Sequence, residues 1–147
     1  MPPFQIQPNS YSCGTLAVMS AITALGGDAD YDTVYSNVGT TSRDGTSEDG
    51  IMDGLPFLGY IGKEYVGKNP DSAWRYVIRN CKTHPIIACV DQFAHWIVFT
   101  GMIGRRVIAI DSYPRGQASG GLVYDKKELL ERWRYRGVYY AIKVSKA

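Results

Sequence analysis

The chain has 147 residues and a formal net charge of +2, with 45% hydrophobic and 20% charged residues. This length and composition predict one soluble globular domain, residues 1–147, which can bury a core without disulfides or metals. The small net charge gives no support for a nucleic-acid or membrane partner. The sequence contains no apolar run of the ~18 residues that a transmembrane helix needs, and no secretory signal is visible.

The cysteines are three in number and include no CxxC pair. This pattern argues against a disulfide framework or a thiolate zinc site and is typical of a reducing compartment. We therefore expect a cytoplasmic protein that holds no metal or cofactor.

Apolar residues at helical spacing in the first half of the chain predict helices. The first begins at Gly14 and ends at Gly26, because glycine tolerates the left-handed conformation that ends helices. Three more are expected: residues 31–38, a helix that starts at the acidic residues 47–49 with Pro56 inside it or kinking it, and a helix from the Asn69 cap and Pro70.

The second half changes to a strand pattern rich in β-branched and aromatic residues. Residues 85–91, 95–103 and 105–113 predict an antiparallel meander with a tight hairpin at Gly104. A helix capped by Asp125 follows and ends near Trp133, and "VYYAIKV" predicts a last strand. The basic residues of that helix are interpreted as a solvated face. Helices first and strands second predict an α+β fold.

Cys13 lies where the polar segment "IQPNSYS" meets the start of the first helix. A helix N-terminus carries partial positive charge and unpaired N–H groups, so a thiol there loses its proton more easily and becomes a nucleophile. Gly14 is expected to let a substrate approach the backbone. For Cys13 alone, the role of a small buried hydrophobe remains open, and Cys81 and Cys89 are predicted to be core residues.

A cysteine nucleophile needs a base, and the base needs an orienting group. Of the two histidines, His84 precedes a proline at a turn, whereas His95 opens a strand at the end of the sheet. Asp111 ends the next strand, and a hairpin centred near residue 103 brings it opposite His95. Asp111 alone is also compatible with a simple turn residue. Cys13, His95 and Asp111 together favour catalysis.

Gln7 stands six positions before Cys13. Attack on a carbonyl develops an oxyanion, which needs fixed hydrogen-bond donors. The turn-prone residues between Gln7 and Cys13 favour a chain that folds back. We therefore expect the Gln7 amide and the backbone N–H of Cys13 to supply these donors.

The ordered motifs "Q-PNSYS-CG", "AHWIVFTG" and "VIAIDSYP" resemble papain-like cysteine peptidases, most closely the bacteriocin-processing, double-glycine leader peptidase (C39-like) family and its stand-alone relatives. The resemblance covers the chain from about Ile6 to the last strand. It implies a papain-like fold in which a helical half, with the nucleophile at a helix N-terminus, packs on a C-terminal antiparallel sheet. By the same resemblance, Cys13 is the nucleophile, His95 the base and later the acid, Asp111 the orienting group and Gln7 the oxyanion donor.

Two departures from the family pattern accompany the resemblance. Ser112 follows Asp111 where the family commonly has proline. We also expect no transporter domain beside this domain, so cleavage of a leader during secretion is not implied.

The resemblance implies a cysteine peptidase or amidase that acts on a peptide or protein through an acyl-enzyme thioester. "SYSCG" and the glycine-bearing loops around Gly50 and Gly120 are expected to line a narrow cleft, and the family implies small residues such as glycine before the cut. Two alternatives stay open: acyl or peptidyl transfer, as in phytochelatin-synthase-like enzymes, and a non-catalytic binding module on a peptidase scaffold. A nucleic-acid-directed protein is not supported, because no aromatic-basic repeat accompanies the pI of 8.4.

Overall fold

The computed structural model describes residues 9–112 and 122–147. Three α-helices come first in these ranges, and a short 3-10 helix, Leu55–Leu58, follows the third of them. The elements in chain order are α1 Cys13–Ala24, α2 Tyr31–Asn37, α3 Glu48–Gly54, β1 Tyr60–Gly67, α4 Pro70–Asn80, β2 Ile86–Val90, β3 His95–Ile103, β4 Arg106–Ile110, β5 Leu122–Tyr124, α5 Lys126–Trp133 and β6 Tyr139–Lys146.

The strands form one six-stranded sheet in the order β1-β6-β2-β3-β4-β5, and neighbouring strands are antiparallel. Successive side chains of a strand point to opposite faces. On β2, Ile87 and Cys89 pack with α1 on one face, whereas Ile86, Ala88 and Val90 pack with α4 and α5 on the other. The molecule is therefore an α+β domain, as the sequence predicted, and its helices cover both faces of the sheet.

Helix α1 is the central helix of its layer. Its first ten residues are all buried, from Cys13 to Ile22. Small residues such as Ala17, Ser20 and Ala21 allow neighbouring elements to approach it on every side. This burial places the first residue of the helix, Cys13, against the sheet.

Side-chain caps begin the other four α-helices. Asp30, Ser47, Asn69 and Asp125 each accept a hydrogen bond from a backbone N–H in the first turn of their helix. Asp125 forms a reciprocal capping box with Glu128. These boundaries confirm the sequence predictions at residues 47, 69 and 125, because a cap is a local signal.

Two strands were not predicted from the sequence. β1 lies at the edge of the sheet within the half that was expected to be only helical, and it pairs with β6. Polar residues such as Lys63 and Glu64 weaken its alternation, as is typical of an edge strand. The short β5 extends the meander beyond β4. No helix in the described ranges is both long enough and apolar enough to cross a membrane.

Candidate active site

Cys13 is the first residue of α1 and is 7% exposed. Its backbone N–H is one of those that the helix itself cannot satisfy. Ser12, at the N-cap, makes no capping hydrogen bond, and the first turn of α1 has no acidic side chain. No side chain therefore neutralises the positive end of this helix dipole, which can stabilise negative charge on Cys13 or on an anion beside it.

His95 and Asp111 form a buried pair across β3 and the end of β4. His95 Nε2 lies 2.6 Å from Asp111 Oδ1, and each residue is 2% exposed. The side chain of Cys13 lies close enough to the same imidazole to help raise its pKa. Because Nε2 bonds Asp111, Nδ1 is the ring nitrogen that can face the sulfur. The structure thus brings Cys13, His95 and Asp111 together.

The surroundings of His95 favour the charged imidazolium. Burial opposes the charge, but hydrogen bonds and negative charge from Asp111 and Cys13 outweigh it and raise the pKa of His95 to about 9. At neutral pH the ring is therefore held in its protonated form.

The hairpin that joins β3 and β4 differs from its predicted register. Val98 pairs with Ile110, so the midpoint is residue 104 rather than 103, and the pairing shifts again at an irregularity between Phe99 and Gly101. Asp111 is consequently a diagonal neighbour of His95 rather than its direct partner. Their side chains still meet, because diagonal neighbours lie within reach of long side chains.

A cleft of about 320 Å³ opens over Cys13. Its lining residues come from the segment before α1, the loop before α3 and the turn between β2 and β3: Ser10, Tyr11, Cys13, Ser42, Arg43, Asp44, Gly45, Thr46, Phe93, Ala94 and Trp96. His95 is not among them, since it lies beneath this surface. The expectation that "SYSCG" lines the cleft is confirmed for Ser10, Tyr11 and Cys13, whereas Ser12 and Gly14 are not among the lining residues.

Gly50, Gly120 and Gln7 were also expected to contribute to the cleft, and the described residues do not confirm any of the three. Gly50 lies inside α3 against Val38, and Gly45 is the glycine that lines the cleft instead. Gly120 and Gln7 lie outside the described residues. The role of Gln7 as oxyanion donor therefore remains a prediction.

The loop that forms one wall of the cleft is fastened to α1. Thr40 Oγ1 lies 2.8 Å from Thr15 Oγ1 and 2.6 Å from Thr46 Oγ1, in a buried chain of hydroxyl groups. The indole of Trp96 donates to the Thr46 carbonyl at 3.0 Å. Gly14 allows this packing, so the expectation that it leaves room for substrate was wrong: Thr46 fills the space beside it.

Arg132 is a residue of the site that sequence reasoning missed. Its guanidinium donates to Asp91 Oδ1 and Oδ2 at 2.9 Å each and to Asp111 Oδ2 at 2.8 Å. The side chain is only 17% exposed, so the interpretation of this helix face as solvated was wrong for Arg132. Arg132 lies next to Trp133 and three residues after Leu129, and both of these residues are buried. This position in the helix is the feature of the sequence that could have indicated its burial.

The remaining cysteines and histidine take the roles predicted for them. Cys81 and Cys89 are buried, and burial raises their pKa values to about 11 and about 12. His84 lies at a turn and contacts the hydroxyl of Thr83 at 3.0 Å.

Comparison with solved structures identifies the fold. A double-glycine-motif protease from an AMS/PCAT transporter, in complex with its leader peptide, superposes with a TM-score of 0.75 at 18% identity over 99% of this chain and 93% of that one. The peptidase domain of Streptococcus ComA, a bifunctional ABC transporter of a quorum-sensing pathway, gives 0.76 at 15% identity over 100% of both chains. A putative C39-like peptidase from Bacillus anthracis gives 0.67 at 11% identity over 99% of this chain and 94% of that one.

No family model and no curated protein sequence matches the chain. The structural likeness extends over the whole length of the domain. The chain therefore has the papain-like fold of C39 peptidase domains, as the resemblance of its motifs implied.

Proposed function

We propose that the chain is a cysteine peptidase that cleaves a peptide bond through an acyl-enzyme thioester. One observation carries the proposal: the buried imidazole of His95 bonds Asp111 at 2.6 Å and lies beside Cys13, which helps raise the pKa of the ring and opens onto the cleft. A nucleophile, a base and an orienting group within hydrogen-bond reach form the arrangement that covalent catalysis requires.

In the first half of the reaction, the Cys13 thiolate attacks the carbonyl carbon of the substrate. The negative charge moves to the carbonyl oxygen, beside the N-terminus of α1, where the backbone N–H of Cys13 and the predicted Gln7 amide act as donors. Protonated His95 then gives its proton to the leaving amine as the C–N bond breaks. The acyl group remains on the sulfur as a thioester.

In the second half, His95 is neutral and acts as the base. It removes a proton from water and so becomes the imidazolium again, while the resulting hydroxide attacks the thioester carbon. The C–S bond then breaks, which releases the acid product and restores the Cys13 thiolate. Asp111 holds the ring through Nε2 and stabilises its charged form in both halves.

A peptide is the proposed substrate. One structural neighbour was solved with its leader peptide bound. In this chain the rings of Phe93 and Trp96 form one wall of the cleft and the loop at residues 42–46 forms another. Such a narrow cleft favours small residues, such as glycine, directly before the cut.

Selective alkylation tests the activated thiolate. We expect iodoacetamide to modify Cys13 at least tenfold faster than Cys89 at pH 7, measured by peptide mapping. Cys89 is the matched control, because its exposure of 5% resembles the 7% of Cys13 while burial raises its pKa to about 12. If Cys13 reacts as slowly as Cys89, the chain is a binding module on a peptidase scaffold.

Cleavage of a mixed peptide library tests the reaction and its specificity. We expect wild-type protein to cut after small residues and Cys13→Ala to cut nothing, while Cys81→Ala keeps the activity. Trapping with a peptide aldehyde that ends in glycine should protect Cys13 from alkylation. A library left intact by wild-type protein at high enzyme concentration would overturn the proposal.

A further inference from the structure

We propose that Arg132 is a positioning residue of this site, which fixes both the Asp111 carboxylate and the turn at residues 91–93 that leads into His95. The inference rests on the proposed peptidase function and extends it to a residue on α5. Two independent sets of contacts support it.

The first set fixes the Asp111 carboxylate from two sides. Asp111 Oδ1 accepts from His95 at 2.6 Å, and Asp111 Oδ2 accepts from Arg132 Nη2 at 2.8 Å. With one partner on each oxygen, the carboxylate cannot rotate without losing a charged hydrogen bond. Arg132 therefore sets the direction from which Asp111 meets the imidazole.

The second set fixes the turn between β2 and β3. Asp91, Gln92 and Phe93 have φ values of 53°, 61° and 63°, three consecutive non-glycine residues in the left-handed region. Such a conformation is strained and persists only when surrounding contacts determine it. The turn continues through Ala94 into His95, the first residue of β3.

Arg132 supplies the contacts that hold this turn. Its guanidinium binds both carboxylate oxygens of Asp91 at 2.9 Å, and its backbone carbonyl accepts from the Asp91 N–H at 3.1 Å. Phe93, at the end of the strained run, lines the cleft beside Cys13. One side chain thus joins the orienting carboxylate to the cleft wall.

The charges of the network are balanced around the guanidinium. Burial opposes ionisation of Asp91, but hydrogen bonds and charge from Arg132 lower the pKa of Asp91 below its usual range. Burial likewise opposes the charge of Arg132, yet its bonds to Asp91 and Asp111 raise its pKa. In the described part of the chain, the titratable groups that face His95 and Asp111 are Cys13 on α1, Asp91 in the turn, Tyr124 on β5 and Arg132 on α5.

Arg132→Lys is the principal test, because lysine keeps the positive charge but lacks the planar fork that bridges two carboxylates. We expect the pKa of His95, followed by NMR titration of the ring, to fall by about one unit. The kcat on a cleaved peptide should fall about 10- to 100-fold, because small misplacements of catalytic groups have effects of this size. The KM should change less than threefold. Arg134→Lys, an exposed position two residues further on, is the matched control and should leave all three values unchanged.

The outcomes separate this inference from the proposed function. A wild-type protein whose Cys13 alkylates no faster than Cys89 contradicts the peptidase itself. A wild-type protein with a reactive Cys13, together with an Arg132→Lys variant that has the same His95 titration and a kcat within threefold, overturns the role of Arg132 alone. The chain has two histidines, so His84 serves as the internal reference of the titration.

Tyr124→Phe is the second variant, needed if Arg132→Lys does not fold. It removes the hydroxyl that Arg132 Nη1 contacts at 2.5 Å and leaves every charge in the network in place. We expect a smaller change in the same direction, with kcat reduced about two- to fivefold and His95 titrating at lower pH than in wild-type protein. A folded Tyr124→Phe protein with wild-type kcat and wild-type His95 titration counts against the proposal.

Discussion

Gly14 and Thr46 touch across the start of α1 and the loop that walls the cleft. A Cβ atom built on Gly14 would lie 2.5 Å from both Cβ and Oγ1 of Thr46. Thr46 in turn bonds Thr40 and, through its carbonyl, Trp96. The residue next to the proposed nucleophile therefore determines how closely the loop packs on the helix.

Gly14→Ala should destabilise the protein and enlarge the cleft. Overpacking of this kind costs about 1–3 kcal/mol, and the loop at residues 42–46 should move outward. We expect a lower free energy of unfolding in urea and a higher KM for a cleaved peptide. Gly101→Ala is the matched control, because its Cβ meets Ile108 Cδ1 at an ordinary 3.7 Å. Equal stability losses in the two variants would contradict the argument.

Asp111→Asn should impair turnover more than binding. The amide keeps the shape of the carboxylate but cannot stabilise the imidazolium. We therefore expect kcat to fall by roughly 10⁴-fold, the effect of the same change in a serine-protease triad. The alkaline limit of the pH–rate profile should also move below the pKa of about 9 that His95 has in wild-type protein. Asp32→Asn, at an exposed position on α2, should leave kcat unchanged. An Asp111→Asn kcat within tenfold of wild type would remove Asp111 from the mechanism.

Local signals account for the parts of the fold that could be predicted. The caps at Asn69 and Asp125 and the strand His95–Ile103 lie where the sequence placed them, because caps and β-branched runs act within a few residues. The ordered motifs also predicted the contact between His95 and Asp111.

Features that depend on distant contacts could not be predicted. β1 is held by β6, whose residues lie near the other end of the chain. The register of the β3–β4 hairpin depends on an irregularity near Phe99 that no local pattern marks. In the sequence, nothing distinguishes Arg132 from the other basic residues of its helix, because its contact with Asp111 forms only in the folded chain. Propensity and periodicity describe neighbours in sequence, so they do not report such pairings.

Asp125→Ala should weaken α5 and, through it, the site. Loss of an N-cap acceptor costs about 1 kcal/mol, and this cap bonds the backbone N–H of Glu128 at 2.8 Å. Because α5 carries Arg132, we expect kcat to fall about two- to fivefold as well. This is the size of the effect expected for Tyr124→Phe and is small beside the direct loss of a catalytic group. Asp30→Ala removes the corresponding cap of α2 and should reduce stability similarly without changing kcat. A matching loss of kcat in both variants would assign the effect to general destabilisation.

His95 should give the protein a pH-dependent stability. Its pKa rises from 6.5 in the unfolded chain to about 9 in the fold, so the folded state binds more protons between these values. By linkage, the stabilisation is complete below about pH 6.5 and is lost as the pH rises through about 9. The difference in free energy of unfolding between wild type and His95→Gln, measured in urea, should therefore shrink from pH 6 to pH 9.5. A wild-type advantage over His95→Gln that stays constant across this range would show that the imidazolium is not held by Asp111 and Cys13.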